Sequence, residues 1–233
     1  MAIDRSYEDG WAGRSVLITG ATGGLGSALA RELDRREASL TLVARRAAAL
    51  ERLEVKGSRL PLDLRSPDGC RQAVEHAYAS SGRLDVVINA VGVVAFGPVR
   101  ELSTDAMEEL FLTNTFVPIL LARAALDHLD PGGVLVNISG VIAERNLPGM
   151  VVYGASKAAV TAFDEALARE AGRSGIRVLD ARPPHTETGL ADRPIEGVAP
   201  RMPAGADPAH VATVICDAIE QGAIDLPSTA FKQ

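Results

Sequence analysis

What most limits the fold of this chain is a rhythm: short apolar runs alternate with longer helical stretches. The runs lie at 16–19, 40–44, 59–62, 86–90, 134–139 and 177–181. None alternates strictly between apolar and polar residues, so each strand is expected to be buried on both faces. Helical periodicity fills 25–36, 67–81, 104–129 and 153–172. A last helix is expected over 208–221, with Asp207 as its N-cap. Strand–helix alternation of this kind gives a parallel sheet with helices on both faces, a doubly wound α/β/α fold. Aromatic residues are only 4% of the chain, so the layers must pack through Ala, Val, Leu and Ile. No internal repeat or linker interrupts 11–182, and a single domain over 1–233 is expected.

One segment breaks the rhythm. Residues 183–207 contain Pro183, Pro184, Pro194, Pro200 and Pro203 together with several glycines. The segment follows the sixth strand, at the carboxyl edge of the sheet where open α/β folds bind ligands. It reads as a lid over a substrate. The formal net charge is −6 and the basic pair Arg45–Arg46 is too short a patch, so nothing suggests the clustered positive surface that nucleic acids need. Cys70 and Cys216 are isolated, so no metal site is expected, and free thiols point to a reducing, cytoplasmic setting. The first ten residues are polar and carry Asp4, Glu8 and Asp9, unlike a signal peptide. The longest apolar stretch, 116–122, is too short to cross a membrane.

The first strand runs into Gly20, Ala21, Thr22, Gly23, Gly24, Leu25 and Gly26, and then into a helix. Glycines there let the backbone turn tightly and approach a ligand. The helix start offers free N–H groups and a positive dipole end to a phosphate. The second strand ends with Ala44 where an acid would hold the ribose hydroxyls of NAD, and Arg45 and Arg46 follow. A guanidinium there suits the 2′-phosphate of NADP, while a solvated loop arginine is the plainer alternative. Asp63, beside Leu64 after the third strand, could accept from an adenine amino group or serve a turn. Asn89, Ala90 and Gly92, at the end of the fourth strand, place a polar bend and small residues beside a cofactor; alone they signal only a turn.

Tyr153 and Lys157 stand four residues apart at the start of a predicted helix, on one face. A phenol titrates at about 10 in water and is a poor base at neutral pH. An ammonium held close favours the phenolate, which would make Tyr153 a usable acid or base toward a carbonyl or alcohol oxygen. Lysine is scarce, with Lys56, Lys157 and Lys232 the only three among 24 basic residues. Pro118 has no N–H to give the Asn114 carbonyl, so the helix over 104–129 should kink there and free that carbonyl to hold a water.

Taken in order, these motifs resemble the short-chain dehydrogenase/reductase family in its compact, single-domain branch. The carriers are Thr19-Gly20-xxx-Gly24-x-Gly26, Asp63, Asn89-Ala90-Val91-Gly92, Asn114, Asn137-Ile138-Ser139, Tyr153-xxx-Lys157, and Pro183 followed by Thr188. The likeness is close over 14–190. It implies a Rossmann-like sheet of order 3-2-1-4-5-6-7, with a last strand that is short or missing. It also implies NADP(H), with NAD(H) as the alternative, and hydride exchange with a small-molecule carbonyl or secondary alcohol. By resemblance, Tyr153 is the acid/base, and Lys157 holds nicotinamide-ribose hydroxyls and lowers the Tyr153 pKa. A serine donates to the substrate oxygen, Asn114 holds a relay water, and Pro183 and Thr188 border the nicotinamide or a phosphate.

The chain departs from the pattern at three places. The family's serine position, thirteen residues before Tyr153, is Gly140, and Ser139 is the nearest candidate. Neighbouring side chains at a strand end point to opposite faces, so only a bulge would re-aim Ser139. Pro184 replaces a glycine. The tail, AIDLPSTAFKQ, lacks the family's glycine-rich close. Family members assemble through their last helices and strand. Here the resemblance implies a homodimer through the long helices over 104–129 and 153–172, and the tail argues against a tetramer. The rival function is an NADP(H)-binding sensor with weak catalysis, supported by Gly140.

Overall fold

The computed structural model describes residues 10–232, so the N-terminal segment read above as no signal peptide lies outside the described residues. Seven parallel strands form one sheet of order β3-β2-β1-β4-β5-β6-β7. They are β1 Ser15–Thr19, β2 Ser39–Ala44, β3 Ser58–Pro61, β4 Val86–Asn89, β5 Val134–Ile138, β6 Arg177–Ala181 and β7 Asp225–Leu226. The helices are α1 Gly24–Arg35, α2 Ala47–Glu51, α3 Pro67–Ser81, α4 Thr104–Phe111, α5 Val117–Ala125, α6 Val151–Ala171 and α7 Pro208–Glu220. The expected strand order therefore holds, and the last strand is a two-residue stub paired with Asp180 and Ala181.

Burial on both faces explains the unbroken apolar runs. Val16, Ile18, Val86, Ile88, Val134 and Val136 pack under α1 and α7, around Leu29, Leu33, Val211 and Ile215. Their neighbours Leu17, Val87 and Leu135 point the other way, against Val74, Leu121 and Leu167 of α3, α5 and α6. Asp207 caps α7 as expected, accepting from the Ala209 and His210 N–H groups. Among the described residues, no helix is long and apolar enough to cross a membrane.

The helix expected over 104–129 is not continuous. A π-helical turn, Leu112–Phe116, separates α4 from α5, and the Val117 N–H reaches back to the Leu112 carbonyl. Pro118 then falls in the first turn of α5, where a missing N–H is tolerated. The widened turn carries Asn114 and Thr115 toward α6. The single turn α2 was not expected from any pattern. Arg59 of β3 holds it by donating to the carbonyls of Leu50, Leu53 and Val55.

A ladder of buried polar side chains crosses the ends of three strands. The Thr19 hydroxyl donates to Asn89 Oδ1 at 3.0 Å, Asn89 Nδ2 to Asn137 Oδ1 at 3.2 Å, and Asn137 Nδ2 to Asp164 Oδ1 at 2.7 Å. Asp164 lies on α6, so the ladder pins that helix to the sheet. Burial pushes the Asp164 carboxyl up from 3.8 to about 8. Its folded value lies above its unfolded one. The stability this gives is complete below the unfolded value and is lost as the pH rises through about 8. Asp164→Asn cannot ionise and escapes that loss. Urea unfolding should therefore show the variant gaining on the wild type between pH 5 and pH 8; a gap that stays constant with pH would contradict the assignment.

Candidate active site

The carboxyl ends of the strands open into a cavity of about 850 Å³. One end is the glycine turn after β1. Gly20 has φ +70°, and a Cβ there would lie 2.6 Å from the Ala90 carbonyl oxygen. A Cβ on Gly26 would strike the Gly20 carbonyl, and one on Gly24 would strike Thr188. Each glycine is thus required by a close approach, of β4 to the turn, of α1 to β1, or of the lid to α1. No side chain caps α1 at Gly23, so its first-turn N–H groups face the cavity uncapped. That geometry suits a phosphate.

Gly20, Thr22, Gly23, Gly24, Leu25, Arg45, Arg46, Asp63, Leu64, Ala90, Gly92, Ser139, Tyr153, Lys157, Pro183 and Thr188 all line the cavity. Gly26, Asn89 and Asn114 do not; they are buried just behind its wall. Arg45 and Arg46 are exposed at the adenine-side rim, as a 2′-phosphate would need. The wall therefore fits an NADP-type dinucleotide: a cradle without Cβ atoms, an uncapped helix start, and two guanidiniums at the far rim.

Asp63 is already engaged. Arg65 binds both its oxygens, at 2.7 Å for the shortest bond, and these bonds hold the carboxyl below its ordinary range. Arg65 also reaches Glu109 of α4 at 3.1 Å. An adenine amino group would share Asp63 with this arginine, which the sequence reading did not foresee.

Tyr153 and Lys157 lie one turn apart on α6 and both face the cavity. Lys157 Nζ donates to the Ile138 carbonyl at the end of β5, at 2.7 Å. Burial pushes the Tyr153 phenol up to about 12. Burial also pulls the Lys157 ammonium down to about 8, against a nearby Asp180 that favours its charge. The expected lowering of Tyr153 by Lys157 is absent here, because desolvation is the one cause acting on the phenol. At neutral pH both groups hold their protons.

Asn114 sits in the π turn with its side chain fully committed. Oδ1 accepts from the Val93 N–H at 2.9 Å, and Nδ2 donates to the Val93 carbonyl and to Ser156 Oγ. Thr115 Oγ1 donates to the Ser156 carbonyl. The turn thereby fixes the loop after β4 and the first turns of α6 to each other. A Cβ on Gly92 would lie 3.5 Å from both Asn114 Oδ1 and Lys157 Nζ, so these three converge.

Ser139, the serine candidate, is engaged by a neighbouring strand. Its hydroxyl donates to Asp180 Oδ1 of β6, and the residue is 1% exposed. The backbone does bulge: the N–H groups of Ser139 and Gly140 both reach the Ala181 carbonyl, at 3.1 and 3.3 Å. The bulge leaves Gly140 at the cavity at φ +90°, beside a Ser139 whose hydroxyl is spent on Asp180.

The segment 183–207 is stitched down rather than loose. Ile195 N–H donates to the Val94 carbonyl and Phe96 N–H to the Glu196 carbonyl, at 2.8 and 3.0 Å. The Glu196 carboxylate accepts from the N–H and hydroxyl of Ser103, the α4 N-cap. Val93, Val94, Phe96, Ile142, Leu147, Met150, Leu190, Ile195 and Met202 make the substrate end largely apolar, with His185 a polar exception. The buried Asp180 and Arg182 and the half-buried Thr161 were also missed, although an acid inside the apolar run 177–181 was the visible signal. The described residues bring together no group of three His, Cys, Asp or Glu side chains suited to a metal.

Comparison with known proteins agrees with this geometry. Hydroxynaphthalene reductase of Aspergillus fumigatus is 31% identical over 175 residues, which is 72% of this chain and 64% of that protein, so the chain spans just under two thirds of that relative. A short-chain dehydrogenase from Streptomyces avermitilis superposes with a TM-score of 0.83 at 26% identity, covering 94% of this chain and 90% of that one. A blue fluorescent protein from a metagenomic library, solved in complex with NADPH, superposes with a TM-score of 0.80 at 25% identity, covering 93% and 96%. The family model described as short chain dehydrogenase matches residues 14–197, from the first strand into the proline-rich segment after the sixth. With that span matched, and with the glycine turn and the Tyr153–Lys157 pair on one cavity, the chain belongs to the short chain dehydrogenase family.

Proposed function

We propose that this protein is an NADP(H)-dependent oxidoreductase that interconverts a carbonyl compound and a secondary alcohol. The observation that carries the reading is that one cavity joins an uncapped helix start, two rim arginines and the Tyr153–Lys157 pair. Its support includes a relative named as a reductase and a fold neighbour solved with NADPH. When bound, the nicotinamide supplies or accepts the hydride.

The rest is the work of this chain. The first turn of α1 and the glycine turn hold the pyrophosphate, and Arg45 and Arg46 hold the 2′-phosphate. Tyr153 gives its proton to the substrate oxygen as a general acid and recovers it in the reverse direction. A phenol held up at about 12 is fully protonated at rest, which suits reduction. Lys157, one turn along α6 on the same cavity wall, does not lower the resting phenol; it is the cation that would stabilise the phenolate once the proton has left. The apolar walls exclude water and favour a largely apolar substrate.

Two substitutions test the reading. Tyr153→Phe removes the proton donor and should cut turnover of a ketone panel by about 10²–10⁴-fold, with NADPH binding unchanged in a fluorescence titration. Turnover equal to wild type would sink the mechanism. Arg45→Asp puts a carboxylate beside the 2′-phosphate. The ratio of NADPH to NADH affinity should fall by at least about tenfold, which corresponds to roughly 1.4 kcal/mol; an unchanged ratio means the cofactor assignment is wrong. Tight NADPH binding with no turnover by the wild type would instead support the sensor reading.

A further inference from the structure

Lys157 is held at a junction that one buried carboxylate ties together. Its Nζ donates to the carbonyl of Ile138. The next residue, Ser139, donates its hydroxyl to Asp180 Oδ1. Thr161, one turn further along α6 from Lys157, donates its hydroxyl to Asp180 Oδ2 at 2.8 Å. Asp180 therefore fastens the end of β5 and the body of α6 on either side of the Lys157 anchor. It is 5% exposed and lies on β6, whose register places it beside Asn137.

We propose that Asp180 is a positioning residue for the Tyr153–Lys157 pair, holding the β5–α6 junction in place and standing as the buried anion that keeps Lys157 charged. The proposal rests on the reading of that pair as the proton-handling group. Asp180 touches neither substrate nor cofactor; it acts through Lys157. The groups that face it are few. Ser139 comes from β5, and Thr161, Lys157 and Asp164 come from α6. Arg182, just past the end of β6, donates to Oδ2 at 2.7 Å. Asp164 holds its proton at neutral pH and adds no charge.

Arg182 extends the junction outward. It binds Glu144 at 2.6 Å and Asp225 of β7 at 2.6 Å, and Glu144 in turn accepts from the Ser228 N–H at 3.1 Å. The loop after β5, the sixth strand and the C-terminal stub are thus locked to one guanidinium. This arrangement also makes the test practicable. Removing one partner of a buried ion pair is severe when the other is left alone. With Asp180 neutralised, Arg182 keeps two carboxylates.

The test is Asp180→Asn, read by NMR on protein carrying ¹³C-labelled lysine. Lys56 and Lys232 are exposed and are the only other lysines, so the Lys157 side-chain signal is assignable by Lys56→Arg and Lys232→Arg. Without the anion, the Lys157 titration midpoint should move down by about one pH unit. The alkaline limb of the kcat/KM profile should move with it, and the KM for NADPH should hold. An unmoved Lys157 midpoint in folded Asp180→Asn overturns the proposal. A wild type that turns over no carbonyl compound defeats the functional reading instead, and the Lys157 midpoint still decides on Asp180. Should Asp180→Asn fail to fold, Thr161→Val gives the second reading. It should shift the Lys157 midpoint and Thr161→Ser should restore it, whereas identical midpoints in all three proteins overturn the proposal.

Discussion

A parallel sheet covered on both faces can present chemistry in one place, the carboxyl ends of its strands. Everything in this protein follows from that limit. The strand interiors are spent on Val, Ile and Leu that face two helical layers. Most buried polar side chains of the sheet gather toward the strand ends, where Thr19, Asn89 and Asn137 stand in line on β1, β4 and β5. Burying such groups is costly unless each finds a partner, so they bond to one another and to Asp164 on α6. The ladder is therefore both the floor of the site and the fastening of the helix that carries Tyr153 and Lys157.

That floor sets the electrostatics above it. Desolvation acts on Tyr153 and Lys157 in opposite senses but to one end, which is to disfavour charge on both. A lysine that is to stabilise a phenolate must stay protonated in the same surroundings that strip charge away. The arrangement needs an anion nearby that is itself tied down. Asp180 meets this need because two hydroxyls and one guanidinium hold its oxygens.

How far the sequence foretells this depends on distance along the chain. The glycine turn and the Tyr153–Lys157 pair are local patterns, seven and five residues wide, and their spacing alone puts the groups on one surface. The strand order could be expected from the family resemblance, and the break in helical rhythm over 183–207 from its prolines. The short helix α2 has no periodicity to read and is held by Arg59 from another strand. The π turn was half legible: Pro118 marked a break, but the widening shows only where Asn114 and Thr115 meet Ser156 of α6. Asp180 joins residues 41 and 19 positions away, and no local pattern encodes such a junction.

Gly140 shows how a missing side chain can follow from the backbone. At φ +90° any residue with a Cβ is strained, so a serine could not occupy this position without rebuilding the turn. The bulge that spends two N–H groups on the Ala181 carbonyl, and the Asp180 carboxylate that holds Ser139, arise from the same segment. A site that forgoes one donor to the substrate oxygen loses about 10²–10³ in rate, other things equal. The polarisation a serine would have shared falls on Tyr153, whose capacity to give up a proton depends on the charge behind it. The anchoring of Lys157 by Ile138, Asp180 and Thr161 therefore carries more weight here than it would beside a well-placed serine.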